Sequence, residues 1–249
     1  MVTHLVCFML ALPQEATSIA LLWLPANGQV LRFKCEEKVN EHGHFHVTTS
    51  WRATHTIVTA SKEAVTERVI EDEFRIGGSV PVNGTNNVET AIHRPTGELV
   101  SYTLETTPTF NGQVSGAVVV RHEFSFALFG RVSYPTGSVA LGDAWTLHQP
   151  HGPNNRYDFT CTSSIVGSQK VLGHEAWKIK YSAEATDGKH TPSASGYIWL
   201  DSKDGSLLKE QIHILNEPVL TGEPNSADLS SIVVSDELED EDFTITRQF

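Results

Sequence analysis

The chain is short of the residues that carry the commonest chemistries. It has 18 Lys and Arg against 30 Asp and Glu, and the cations nowhere form a run. That excludes a nucleic-acid partner as an expectation, because a phosphate backbone is held by clustered positive charge. It excludes an anionic membrane surface on the same ground. No apolar stretch reaches the length needed to cross a bilayer, so no transmembrane segment is expected. Ser163 and Ser164 lack the G-x-S-x-G context of a nucleophile elbow. The acidic run near the C-terminus lacks the spaced Asp/Asn and Gly of an EF-hand loop. The expectation is a protein that is not an enzyme and needs no cofactor.

The dominant positive signal is alternation. Leu31, Phe33, Cys35 and Val39 fall on one side of an extended segment, with Arg32, Lys34, Glu36 and Lys38 on the other. Val47, Trp51, Ala53 and Ile57 share a face, as do Tyr157, Phe159, Cys161 and Ile165, and Trp177, Ile179 and Tyr181. Period-2 patterning of this kind marks half-buried strands. Turn dipeptides such as Asn27-Gly28, Gly77-Gly78, Asp187-Gly188 and Asp204-Gly205 cut the chain into short strands that suit hairpins and meanders. Lys62 to Phe74 fits a strand better than a helix. Val114 to Phe129 fits a helix lying across a sheet or two strands. The fold class expected is mainly β: two related antiparallel curved sheets, half-barrel-like, with one or two short helices.

The expected organisation has five parts. Residues 1–16 read as a signal peptide, because the short apolar run Leu5 to Leu12 ends at Pro13. Residues 17–110 form a first β half, 111–141 a connecting segment with helical character, and 142–217 a second β half. Residues 218–249 form an acidic tail. From Glu217 to Phe249 there are nine acids and one base, Arg247, out of a net charge of −12, and such a segment is expected to be solvated. Removal of a leader would take Cys7 and leave Cys35 and Cys161. That pair fits one disulfide in an oxidising compartment or two separate buried thiols. The location expected is export to periplasm, envelope or exterior.

The halves share turn positions. Gly97 and Gly205 follow similar strand–turn segments 108 residues apart, and Gly28 and Gly142 precede apolar-rich strands 114 residues apart. Such near-equal offsets suggest an internal repeat. The sharpest polar constellation is His42, His44 and His46. On one strand they share a face, as weak candidates for a metal site. The outer two would lie about 13 Å apart along an extended chain, too far for one ion, so no metal is expected there unless Gly43 turns the chain.

The run Pro135 to Trp145 (PTGSVALGDAW), the pair of strand patterns from Ile165 to Ile179, and the stretch Gly196 to Leu208 (GYIWLDSKDGSLL) resemble a family of exported bacterial proteins of unknown function. That family is similar in pattern to periplasmic lipoprotein carriers and lipid-binding lipoproteins. The resemblance covers the chain after about residue 18. It implies an unclosed curved sheet with helices on its concave face, an apolar cavity, and a hydrophobic small molecule or lipid as partner. It implies no catalytic residues. The function expected is thus a non-enzymatic exported protein that binds a hydrophobic ligand or serves the cell envelope. The alternatives are a metal-dependent hydrolase using the His-rich turns and a partner-binding module using the acidic tail.

Overall fold

The computed structural model describes residues 18–21, 23–41, 44–78, 87–97, 99–106, 109–110, 113–114, 134–135, 137–149, 158–186, 191–221 and 233–249. The strands are β1 (Val30–Glu41), β2 (His44–Ala60), β3 (Val65–Ile76), β4 (Asn87–His93), β5 (Leu99–Thr106), β6 (Thr109–Phe110), β7 (Gln113–Val114), β8 (Ala144–Gln149), β9 (Phe159–Val171), β10 (His174–Ala185), β11 (Ser193–Asp201), β12 (Leu207–Thr221) and β13 (Val233–Gln248). Lys62 to Phe74 contributes β3, as the alternation of Val65, Glu67 and Val69 requires. Among the described residues there is no helix. The stretch Val114 to Phe129 lies outside the described residues beyond Val114, and of the connecting segment 111–141 only residues 113–114, 134–135 and 137–141 are described.

Eleven strands form a single sheet in the order β5-β4-β3-β2-β1-β13-β12-β11-β10-β9-β8, and β6 and β7 form a separate pair. The expectation of two sheets is therefore corrected to one. The sheet consists of two five-strand meanders, β1 to β5 and β8 to β12, joined by β13, which pairs antiparallel with β1 on one side and β12 on the other. Entry into each meander is similar. The Gly28 amide donates to the Ile57 carbonyl on β2, and the Gly142 amide donates to the Ile165 carbonyl on β9. Gly97 and Gly205 both turn the chain with positive φ, 85° and 72°, a conformation that suits glycine.

The acidic tail is the second correction. Residues 233–248 are a central strand. Net charge concealed a period-2 pattern: Glu241, Phe243 and Ile245 are buried, while the alternate residues Asp242 and Thr244 are not. Asp242 lies opposite Lys38 in the β1 register, and its Oδ1 is 2.8 Å from His213 Nδ1 on β12. The opposite charge of Lys38 offsets part of the cost at Asp242, whereas Glu239 lies opposite Glu41 and Glu217 in the two registers, like-charge pairs that add to it.

Curvature follows from the backbone. The Trp23 amide donates to Pro95 O in the β4–β5 turn, and the next residue, Leu24, donates to Asp204 O in the β11–β12 turn. Successive residues are about 3.8 Å apart, so these turns lie within about 10 Å of each other. A flat sheet would separate them by six strand spacings, about 29 Å. The sheet therefore curls into an unclosed trough, and residues 18–21 and 23–24 lie across one end. Ile19 adds a bridge to Val139, and Tyr134 donates its amide to Thr96 O. The core lies on the concave side, where Leu31, Phe33, Cys35, Phe159, Ile179, Ile198 and Ile245 form one cluster with Ile19, Leu21 and Tyr134. Among the described residues no helix is long and apolar enough to cross a membrane.

Candidate functional site

At the end of the trough crossed by residues 18–21 and 23–24, three adjacent strands place polar side chains in the core. Glu67 on β3 lies opposite Ile57 on β2 and Ala91 on β4. His55 and His93 each sit two residues along from those partners. Diagonal same-face neighbours of this kind are within reach of long side chains. Glu67 Oε2 is 3.0 Å from His55 Nδ1, and Glu67 Oε1 is 2.9 Å from His93 Nε2. All three residues are buried, at 2%, 2% and 1% exposure for His55, Glu67 and His93. One carboxylate thus orients two imidazoles. Each ring is also held by an aromatic edge: Phe33 is 5.0 Å from His55 and Trp23 is 5.9 Å from His93, both T-shaped. Burial without such hydrogen bonds would cost several kcal/mol, on the order of 2–5.

The triad borders a cavity of about 30 Å³ whose walls include Trp23, Leu31, Phe33, Tyr134, Leu200 and Leu207. That space suits a water or two. Among the described residues the lining contains no Ser, Cys or Lys, and Tyr134 supplies a hydroxyl. Burial first, then the nearby Glu210 charge, raises the Tyr134 phenol. Both oxygens of Glu67 face imidazole nitrogens, and no group of three or more His, Cys, Asp or Glu among the described residues could hold a metal ion.

Further along the trough, one cross-strand row reads Ile179, Ile198, Glu210, Ile245, Cys35 and Trp51. Glu210 is fully buried in this otherwise apolar row, and Trp51 Nε1 donates to Glu71 Oε1 at 3.0 Å. Burial raises the Cys35 thiol well above its ordinary range, with Glu71 and Glu210 adding to the effect. Burial pushes Cys161 up to about 12. Tyr181 is raised by burial, then by Glu210 and Cys161. Toward the other end, the inner positions of β9, β10 and β11 mix small residues, Cys161, Ser163, Ala183, Ala194 and Gly196, with the large buried rings of Phe159 and Tyr181.

His42 lies outside the described residues, and His44 and His46 belong to the start of β2. Cys35 and Cys161 are free and buried. They sit on β1 and β9 with β13, β12, β11 and β10 between them, which replaces the disulfide reading with two separate thiols. Asp201 accepts from the Lys203 amide and contacts His174, and Asp204 accepts from Ser206, so both are turn residues. The sequence reading missed His55, Glu67, His93 and Glu210. The signal was available. His55 falls between Ala53 and Ile57, Glu67 between Val65 and Val69, and Glu210 has the same parity as Ile212 and Ile214, so each is a polar residue in an apolar register.

No family model matches the chain, and no curated protein matches it. Among solved structures, a similar chain is a Vibrio parahaemolyticus domain described as an outer membrane lipoprotein-sorting protein. It is 12% identical, with 89% of this chain and 86% of that chain covered, at a TM-score of 0.22. The overlap is long and the superposition poor, so this likeness carries no argument about fold or role.

Proposed function

We propose that the chain is a non-catalytic, exported binding protein that takes a hydrophobic ligand on the concave face of its sheet. The observation that carries this reading is the trough itself: one curled antiparallel sheet whose inner register is largely apolar, with Cys161, Ala183 and Ala194 beside Phe159 and Tyr181 over β9 to β11. One end is filled by Trp23, Tyr134 and the His55–Glu67–His93 group, so the proposed ligand enters at the other end, displacing what packs over Cys161, Ala183 and Ala194, which are 6%, 0% and 3% exposed. Apolar walls with few polar groups are the usual make-up of a small-molecule site. The likeness of Pro135–Trp145 and Gly196–Leu208 to exported half-barrel families supports the same reading, and the two five-strand meanders are read as copies of one unit. Titration of the full chain with a fluorescent fatty acid tests it. Saturable binding is expected, weakened about tenfold or more by Ala194→Trp with the far-UV spectrum unchanged. Ala183→Leu replaces that variant if it does not fold. Absence of saturable binding to the unaltered chain overturns the reading.

A further inference from the structure

The convex side of the sheet carries a feature that no stretch of sequence contains. Following the register across six strands, from β10 to β2, one row reads Lys178, Trp199, Lys209, Thr246, Lys34 and Arg52. Four cations stand in line on a chain of net charge −12, and on the next strand, β3, the row ends at an acid, Asp72, opposite Arg52. The flanking rows add the exposed Arg32 and Lys180. Of the acids beside the row, Glu36 lies 3.8 Å from Lys38 and Asp201 contacts His174. Glu73 holds Arg52 at 2.8 Å, so that end of the row is paired and the track rests on Lys178, Lys209 and Lys34 with the flanking Arg32 and Lys180.

The row is also ordered. Lys178 Nζ lies 4.0 Å from the Tyr197 ring centroid and 5.2 Å from that of Trp199, and Lys209 Nζ lies 5.0 Å from Trp199. These cation–π contacts fix both ammonium groups on the outer surface. They also cover the ring of Trp199, which is 5% exposed, so it offers no open face on which a nucleic-acid base could stack.

We propose that this row is a docking track for a linear acidic polysaccharide, carboxylated or sulfated. Its charge is complementary to such a chain, and the strand spacing of about 4.8 Å is on the scale of one sugar unit. The row runs around the curl of the sheet. A flexible chain follows that curve, whereas a flat anionic bilayer meets only the part tangent to it. The partner differs from the ligand of the concave face, and the two proposals stand or fall separately.

The test is binding of the full chain to polygalacturonate and to dextran sulfate, with neutral dextran, anionic phospholipid vesicles and single-stranded DNA in parallel. The account expects binding to at least one acidic polysaccharide and none to neutral dextran. Affinity should fall about tenfold or more between roughly 50 and 200 mM salt, as release of counterions from a few ionic contacts requires. Lys34→Gln with Lys209→Gln should weaken binding about tenfold and flatten the salt dependence, while Lys62→Gln, in the β2–β3 turn, leaves both unchanged. Arg32→Gln with Lys34→Gln leaves the Trp199 stack intact and serves if the first pair fails to fold. No binding at low salt, binding unchanged in the row variants, or stronger binding to vesicles or DNA than to both polysaccharides would each overturn the proposal.

Discussion

Replacing Ile245 by Ala examines the placement of β13 directly. Ile245 is fully buried and lies between Cys35 on β1 and Glu210 on β12. The substitution removes the outer carbons of a side chain packed on both sides, at a site where the flanking strands are fixed by their own ladders and collapse little. Core Ile→Ala changes cost about 2–5 kcal/mol, and this setting argues for about 3–4. Had the segment been a solvated tail, the change would fall within about 0.5 kcal/mol. Gln248→Ala, on the same strand but exposed, serves as the control and should stay within that smaller range. Urea unfolding followed by Trp fluorescence reads the difference. With a slope of about 3 kcal/mol per molar for a chain of this size, the midpoint should drop by roughly 1 M with the slope unchanged. A shift of less than about 0.2 M for Ile245→Ala would refute the central position of β13. Truncation after Leu215 should, by the same reasoning, abolish cooperative unfolding altogether.

Gly196→Ala should destabilise strongly, by about 3 kcal/mol or more, because a Cβ there would lie 2.0 Å from the Gln211 carbonyl oxygen and 3.1 Å from Ile212 Cα, both backbone; thermal melting checks this. Glu67→Ala removes the acceptor shared by His55 and His93 and should cost about 3 kcal/mol, with Glu67→Gln costing less; equal losses for the two variants would contradict the shared-acceptor role. The Cys161 thiol is raised from 9.0 to about 12 in the fold. A raised acid favours its protonated form in the folded state, so this contribution is complete below about pH 9 and is lost as pH climbs toward 12. Stability should therefore fall across that window by on the order of 4 kcal/mol, and Cys161→Ala should flatten the slope. Cys35 and Cys161 should also resist a thiol reagent at pH 8 until the chain unfolds.

Strand content was legible in the sequence because a sheet with one buried face writes a period of two into each strand. β1 and β10 are plain examples, with Leu31, Phe33 and Cys35, and with Ile179 and Tyr181. The joining of the meanders was not legible, because residues 236–242 contain one apolar residue, Leu238. Acidity masked an alternation that appears only once Phe243 and Ile245 are read with Glu241. Buried polar residues were passed over for a related reason: His55 and Glu67 occupy apolar positions but look like surface residues by type. The convex row could not be read at all. Lys34, Arg52, Lys178 and Lys209 become neighbours only through strand register, and register between segments more than 100 residues apart is set by the whole sheet.

The most direct test of a hydrophobic ligand on the concave face is native mass spectrometry of the full chain, purified without detergent from a lipid-rich host. The account predicts a mass above that of the polypeptide, returning to the polypeptide mass after extraction with organic solvent, with the released molecule apolar. A single peak at the polypeptide mass, unchanged after incubation with fatty acids or phospholipids, would contradict it.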